Sequence, residues 1–110
     1  MHSTIYAIHG PDAARLEGVV TVMRRLGAPT IRAVDCGDHY MALEGSHRLA
    51  AASRLDLTPE LVVYDATTLI DISDYDWFDP ADWAETVYPA GEIAGELYSW
   101  YQAVDYSLGP

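Results

Sequence analysis

The sequence contains no lysine, only one cysteine, and no long apolar run. With Cys36 as its single thiol, the chain can form no disulfide within itself, which fits a reducing, cytoplasmic environment. No window of about 18 apolar residues is present, so no membrane-spanning helix is expected. The N-terminal segment MHSTIYAIHG lacks a basic stretch followed by an apolar one, so no secretory signal is predicted. Together these absences favour a cytoplasmic protein with no membrane partner.

Positive charge is scarce and is confined to one half of the chain. All six basic residues are arginines between Arg15 and Arg54, against 17 acidic residues and a net charge of −11. Residues 65–110 contain acidic residues and no basic one. Proteins bind duplex DNA through several lysine or arginine contacts to phosphates. Duplex DNA is therefore a disfavoured ligand.

The pattern of apolar residues predicts alternating strands and helices in the first three-fifths of the chain. Half of the 110 residues are apolar, which is enough for one domain with one core. Pro11 and Gly27 mark the two ends of an amphipathic helix, and the segment CGD predicts a tight turn between two strands. The predicted elements in order are strand 4–8, helix 12–26, strand 30–35, strand 39–44, helix 46–55 and strand 60–65.

The remaining residues, 66–110, are acidic and rich in aromatic side chains. The segment ATTLIDIS predicts an edge strand, and Asp79 with Pro80 predicts the start of a helix. A last helix is predicted in GEIAGELYSWYQAV, because one stripe holds Ile93, Leu97, Trp100 or Tyr101, and Val104. The aromatic residues either pack these helices onto the sheet or form an acidic, aromatic surface for a protein partner.

These elements predict a single domain, residues 1–110, of the α+β (α/β-like) class. Its core, residues 4–65, is expected to be a small mixed β-sheet with flanking helices. Residues 66–110 are expected to be a helical, acidic extension packed on that core.

The segment EGSHRLAAASRL, residues 44–55, places polar side chains in the first turn of a predicted helix. Helix N-termini expose backbone N–H groups and carry partial positive charge, so they bind anions, above all phosphate. Gly45 allows a tight turn or the close approach of a ligand, and Ser46 is a favourable N-cap. His47 and Arg48 are cations in an unfavourable position unless an anion is bound. This pattern predicts a phosphate site made of backbone amides, Ser46, His47 and Arg48.

A simpler interpretation of the same residues needs no ligand. Ser46 only caps the helix, His47 bonds a neighbouring carbonyl, and Arg48 pairs with an acid such as Asp35 or Asp38. The spacing alone leaves both interpretations open.

The segment LEGSHRLAAA, with LGAPTIRAVDCGDHYMA before it and LTPELVVYD after it, resembles the ParB/sulfiredoxin superfamily. The shared pattern is an amphipathic helix ending in LG, a strand hairpin, a Gly-x-[His/Arg]-Arg-x-x-Ala-Ala motif and a strand, and it covers residues 4–65. The resemblance implies a nucleotide whose phosphates lie at the start of this helix. It also implies that Gly45, His47 and Arg48 contact those phosphates.

The sequence departs from two branches of that superfamily. Sulfiredoxins carry their catalytic cysteine where this chain has Ser46, and Cys36 does not match that position, so sulfinic acid repair is not expected. ParB proteins have a glutamate at the Ser46 position, and here no helix-turn-helix segment follows. The free-serine kinases are the nearest branch, because they have an acid before the glycine, as at Glu44, and a His-Arg pair. Those kinases also use a glutamate early in the domain, just after the first strand. The closest candidate for it in this chain is Asp12, followed by Glu17.

The resemblance implies a nucleotide-dependent phosphotransferase or hydrolase that uses ATP, ADP or CTP. Glu44 would hold Mg²⁺, and Asp12 would orient or deprotonate a hydroxyl or water. Without that role, Asp12 is a first-turn helix acid and Glu44 a surface residue. An alternative is a non-catalytic module that senses a nucleotide and binds a protein partner through its acidic half. A ParB-like nuclease is the least favoured of these functions, because the net negative charge of the chain disfavours binding to nucleic acid. A homodimer is one expected assembly.

Overall fold

The computed structural model describes residues 2–100 and 103–108. In this part of the chain, no helix has the length and hydropathy needed to cross a bilayer. The α+β class and the mixed sheet are as predicted from the sequence. The helices are α1 (Ala13–Leu26), α2 (Ser46–Arg54) and α3 (Ala90–Trp100), and the strands are β1 (Thr4–Ala7), β2 (Thr30–Asp35), β3 (Tyr40–Ala42), β4 (Glu60–Tyr64), β5 (Leu69–Asp71), β6 (Val87–Pro89) and β7 (Val104–Ser107).

The main sheet has five strands in the order β4-β2-β3-β1-β7. β2 and β3 form the predicted antiparallel hairpin, and its turn is closed by the bond from the Cys36 amide to the His39 carbonyl. β1 pairs with β3 in parallel, and β2 pairs with β4 in parallel. Because β1 and β3 are parallel neighbours, their carboxyl ends meet at one edge of the sheet. The helices that follow them, α1 and α2, therefore begin close together.

Helices cover both faces of this sheet. On one face, Ile31 and Ala33 of β2 pack with Leu49 of α2, and α1 packs on α2. On the other face, Val34 belongs to a buried cluster that includes Ile93 of α3. The alternation of side chains along β2 thus divides the core into two layers of contacts.

Helix α1 has the boundaries that its sequence predicts. The Asp12 carboxylate accepts the amides of Ala14 and Arg15 at 2.9 and 3.1 Å, which caps the N-terminus. At the other end, Gly27 adopts φ +84° and donates its amide to the Met23 carbonyl. Gly27 therefore ends the helix as a C-terminal glycine is expected to do.

The helix predicted from Asp79 and Pro80 is wrong. Asp79 does accept the amide of Ala81 at 2.9 Å, but only one turn follows. The Ile72 amide then bonds the Thr86 carbonyl, and the chain enters β6, which pairs with β5. A second sheet of two strands thus forms where the local signals indicated a helix. The predicted strand in ATTLIDIS corresponds to β5, which lies in this second sheet.

The last predicted helix is too long at its C-terminal end. Ile93 and Leu97 are buried in α3 as predicted, but α3 ends at Trp100. Val104, which the helical pattern placed on the same stripe, begins β7 instead and pairs with Ala7 of β1. The alternative position on that stripe, Tyr101, lies outside the described residues. An added strand on β1 satisfies that strand's outer hydrogen bonds, which a longer helix would not do.

Candidate functional site

A cavity of about 630 Å³ lies at the edge of the sheet where β1 and β3 end. Three parts of the chain surround it: the residues after β1 with the start of α1, the residues after β3 with the start of α2, and a segment from the other side of the sheet. Its lining residues include His9, Arg15, Glu44, Gly45, Ser46, His47, Arg48 and the segment from Asp74 to Trp77. The predicted phosphate-binding residues therefore lie together in one cavity.

The N-termini of α1 and α2 are in direct contact beside this cavity. The backbone amide of Asp12, which caps α1, donates a hydrogen bond of 3.0 Å to Nε2 of His47 in the first turn of α2. Further along the two helices, Arg54 donates to Glu17 at 2.6 Å, so α1 and α2 run in a similar direction. The Asp12 carboxylate already bonds the first amides of α1, so the uncapped helix N-terminus beside this space is that of α2.

Gly45 precedes α2 in a conformation that favours glycine. Its φ of 81° and ψ of 33° are left-handed, and a Cβ there would lie 2.7 Å from Cδ1 of Ile31 and 3.2 Å from Nη2 of Arg48. Gly45 is the N-cap of α2, so the helix has no side-chain cap. The first amides of α2 are therefore not satisfied by a capping side chain.

Ser46 is the first residue of α2, and the prediction that it caps the helix is wrong. The residue is 7% exposed, and it lines the cavity. Within residues 2–100 and 103–108, its hydroxyl has no hydrogen-bond partner. The hydroxyl oxygen itself is open to the cavity, since the one buried side-chain N or O atom without a partner among the described residues is Nε1 of Trp83. Ser46 is thus a donor and acceptor that a ligand in the cavity could bind.

His47 is held in its neutral form by its neighbours. Burial lowers its pKa, the nearby Arg15 and His9 lower it further, and Asp12 partly offsets them. Because Nε2 accepts the Asp12 amide, the proton of the neutral ring is on Nδ1. His47 therefore bonds a backbone amide rather than the neighbouring carbonyl of the simpler interpretation. The ring keeps one N–H donor.

Arg48 lies across Gly45 and is already paired. Its Nη1 donates to the Thr30 carbonyl at 3.0 Å, and its Nη2 donates to Oε1 of Glu44 at 3.2 Å. This agrees with the simpler interpretation, in which Arg48 pairs with an acid, although the acid is Glu44 and neither Asp35 nor Asp38. A guanidinium has five N–H donors, so these two bonds leave others for a ligand. The side chain is 40% exposed, and the cavity beside it is open.

Glu44, the predicted Mg²⁺ ligand, is paired through its carboxylate with two arginines. Its carboxylate lies 3.2 Å from Arg48 and 3.7 Å from Arg32, so two guanidinium groups neutralise it. No group of three or more His, Cys, Asp or Glu side chains in the described part of the chain could hold a metal ion. A metal ion at Glu44 would have to compete with both arginines. The role of Glu44 as a metal ligand stays a prediction.

Asp12 is close to the predicted phosphate site although 35 residues separate it from His47. Its carboxylate accepts the amides of Arg15 and Ala14, and these bonds lower its pKa. A carboxylate with a lowered pKa is a weaker proton acceptor. Asp12 is thus bonded as in its alternative role as a first-turn acid, and it does not line the cavity, so its catalytic role stays a prediction.

Arg15 is the cation of this cavity that the sequence analysis did not identify. In the part of the chain that the structure describes, its guanidinium makes no ion pair or hydrogen bond, although it lines the cavity and lowers the pKa of His47. A signal was present in the sequence, because Arg15 follows the Asp12 cap and stands in the first turn of α1. A cation there opposes the helix dipole in the same way as His47 and Arg48 do.

The wall formed by residues 74–77 was also missed. Trp77 donates its indole N–H to the Leu43 carbonyl at 2.7 Å, and Tyr75 stacks on Trp77 at 5.2 Å with an angle of 12°. The bond to Leu43 holds this segment against the end of β3. No local pattern in the sequence places residues 74–77 beside residues 44–48, since only the tertiary fold brings them together.

Comparison with known proteins adds no assignment. No protein-family model, curated protein or solved structure matches this chain. The function is therefore inferred from the residues of the cavity.

Proposed function

We propose that this chain is a ParB/sulfiredoxin-like protein that binds the phosphates of a nucleotide in the cavity beside Gly45. The observation that supports the proposal most directly is the start of α2, where Gly45 gives the helix no side-chain cap and the cavity is lined by the Ser46 hydroxyl, which has no partner within the described residues. A phosphate oxygen would accept its proton and would also accept the first amides of α2.

The electrostatic surroundings support an anionic ligand. The uncapped start of α2 lies beside the cavity, and Arg15, whose charge also acts on the Asp12 carboxylate, lines it without an ion pair among the described residues. His47 contributes a neutral N–H donor, and Arg48 contributes the donors that its bonds to Thr30 and Glu44 do not use. In a chain whose net charge is −11, these donors and cations lie together in one small volume, beside the carboxylates of Glu44, Asp74 and Asp76.

Phosphate transfer or hydrolysis is a second candidate function, and one observation favours it. The backbone contact between Asp12 and His47 brings a residue that carries a carboxylate close to the start of α2, although that carboxylate itself caps α1. The amides that bond this carboxylate lower its pKa, and Glu44 is neutralised by arginines, so binding without turnover fits the geometry better. Nucleotide sensing, with a protein partner at the acidic residues 66–110, is therefore the form of the proposal that we favour. The cytoplasmic location and the homodimer stay predictions.

Isothermal titration calorimetry with the full chain tests the proposal. Pyrophosphate, ATP, ADP and CTP are titrated with and without Mg²⁺, and released phosphate is measured separately. Ser46→Ala should weaken binding about tenfold with little loss of stability, because the hydroxyl has no partner to lose. Arg15→Ala should weaken binding by a similar factor, and Arg24→Ala is the matched control, since it removes the same charge from the far end of α1.

Two outcomes would contradict the proposal. The first is that the chain binds neither pyrophosphate nor any of the nucleotides. The other is binding that Arg15→Ala and Arg24→Ala weaken equally, because general charge would then explain it. Phosphate release that Asp12→Asn abolishes would favour the catalytic candidate over sensing.

A further inference from the structure

Strand β4 is one edge of the main sheet, and its middle lacks the features that normally protect an edge strand. Among the described residues it pairs only with β2, and Val62 and Val63 are 43% and 45% exposed. Edge strands usually carry a charge, a proline or a bulge at such positions, because an open edge pairs with other chains. The opposite edge, β7, follows this rule, since its second residue is the exposed Asp105. The edge at β4 is therefore a candidate pairing surface.

The backbone groups of β4 point alternately towards β2 and away from it. The Glu60 amide donates to the Pro29 carbonyl at 2.9 Å, at the start of the parallel pairing with β2. In a parallel pair every second residue bonds the neighbouring strand, so Val62 also points its N–H and C=O towards β2. The N–H and C=O groups of Leu61 and Val63 consequently point outwards, and no protein group among the described residues bonds them. These groups are the ones that a further strand would bond.

The side chains of β4 make the strand complementary to a second copy of itself. Leu61 and Val63 lie on the face of the sheet where α2 packs, and Val62 and Tyr64 lie on the other face. In an antiparallel pair with the two Val62 residues opposite each other, Leu61 of one copy stands opposite Val63 of the other. Glu60 then stands opposite Tyr64, so no like charges face each other across the pair.

We infer that two copies of this chain join their main sheets through antiparallel β4 strands, about a two-fold axis at Val62. In this register the outward N–H and C=O groups of Leu61 bond those of Val63 in the second copy, so none is left open. A register with Val63 on the axis would instead need Asp65, whose carbonyl already accepts the Thr68 amide in a turn. The edge at β4 is separate from the phosphate site, so this inference does not rest on the proposed function.

The dimer should be weak and should strengthen with salt. Two strands of five residues form a contact smaller than the roughly 1,200 Å² of the smaller stable interfaces. Each chain has a net charge of −11, so two copies repel each other until salt screens that charge.

Sedimentation equilibrium of the full chain tests the assembly. It should show a monomer at low micromolar concentration and a growing dimer fraction towards millimolar concentration. The dimerisation constant should rise at least about threefold between about 0.05 M and 0.5 M NaCl. A chain that stays monomeric at millimolar concentration in high salt would overturn the inference, and the edge would then be left to an extended segment of another protein.

Val62→Lys tests the position of the axis. It places two ammonium groups side by side in the dimer and should weaken dimerisation by about tenfold or more, although it lowers the net negative charge. Val87→Lys is the matched control, because Val87 is a strand valine that is 48% exposed and lies in the other sheet. This control should dimerise at least as well as the unaltered chain, and circular dichroism checks that both variants fold. If both variants change dimerisation equally, β4 is not the interface.

Disulfide formation tests the register of the pair. In a chain that also carries Cys36→Ser, Val62→Cys places two thiols opposite each other on the axis, within the ~7 Å between Cα atoms that a disulfide spans. Val63→Cys is a control of similar exposure, since the two copies of residue 63 would be diagonal neighbours, about 7–8 Å apart. With oxidised glutathione, Val62→Cys should form covalent dimers at least about tenfold faster than Val63→Cys. Equal rates, or no covalent dimer of Val62→Cys at millimolar concentration, would refute this pairing.

Discussion

Replacing Gly45 with alanine tests the local geometry on which the site depends. The residue has φ of 81° in front of α2, and an added Cβ would lie 2.7 Å from Cδ1 of Ile31, which is fully buried. It would also lie 3.2 Å from Nη2 of Arg48. Gly45→Ala should therefore destabilise the fold and displace Arg48 from the cavity at the same time.

The expected cost has two parts. A non-glycine residue in the left-handed region costs about 1–2 kcal/mol. Forcing a methyl group against a packed side chain lowers the free energy of unfolding by about 1–3 kcal/mol more. The free energy of unfolding should thus fall by about 2–5 kcal/mol. Gly37→Ala is the matched control, because Gly37 also has a positive φ, of 99°, but a Cβ there would meet nothing within 4 Å.

Urea unfolding followed by tryptophan fluorescence measures these costs, and a double-mutant cycle separates them. Ile31→Val removes the Cδ1 atom that Gly45→Ala would strike, at a cost of about 0.5–1.5 kcal/mol by itself. In the Ile31→Val background, Gly45→Ala should cost only the backbone part, about 1–2 kcal/mol. Gly45→Ala could instead lower the free energy of unfolding no more than Gly37→Ala, or by the same amount in both backgrounds. Close packing at position 45 would then not be the reason why glycine is needed there.

Three further predictions concern His47, Trp77 and Asp65. Because burial and nearby cations lower the pKa of His47, the unfolded chain takes up the proton first on acidification, so stability should fall as the pH drops below about 6.5. His47→Gln should remove that part of the pH dependence in thermal melts, and identical pH curves would contradict the assignment. Trp77→Phe deletes the bond to the Leu43 carbonyl and should cost about 1–3 kcal/mol in urea unfolding, where a cost near zero would argue against an ordered 74–77 wall. Asp65 accepts the amide and hydroxyl of Thr67, which lower its pKa, so Asp65→Asn should reduce stability above about pH 4 and should have little effect below that pH.

The sequence was informative where one local segment determines the structure. The cap at Asp12 and the terminating Gly27 mark α1 correctly, because the bonds that satisfy helix ends come from adjacent residues. The same is true of residues 45–48, which are consecutive and begin one helix. Their placement in a common cavity with His9 and Arg15 follows from the parallel pairing of β1 and β3, which the sequence does not specify.

The sequence was misleading where tertiary contacts outweigh local preference. Asp79 and Pro80 favour a helix, but Trp83 is buried between Tyr88 and Trp100, with ring centres 5.2 and 5.0 Å away. Burying this aromatic side chain contributes more than a few helical turns would. Val104 forms a strand for a related reason, since β1 offers an open edge for pairing. Long-range contacts of this kind leave no periodic signal.

A titration of the amide resonances with pyrophosphate, followed by two-dimensional NMR, tests whether a phosphate group binds at the start of α2. The largest shifts should occur at the amides of Ser46, His47 and Arg48 and at the first turn of α1, and Ser46→Ala should reduce them. If pyrophosphate shifts none of these amides at millimolar concentration, or if the largest shifts lie at the far end of α1, around Arg24 and Arg25, phosphate does not bind at this site.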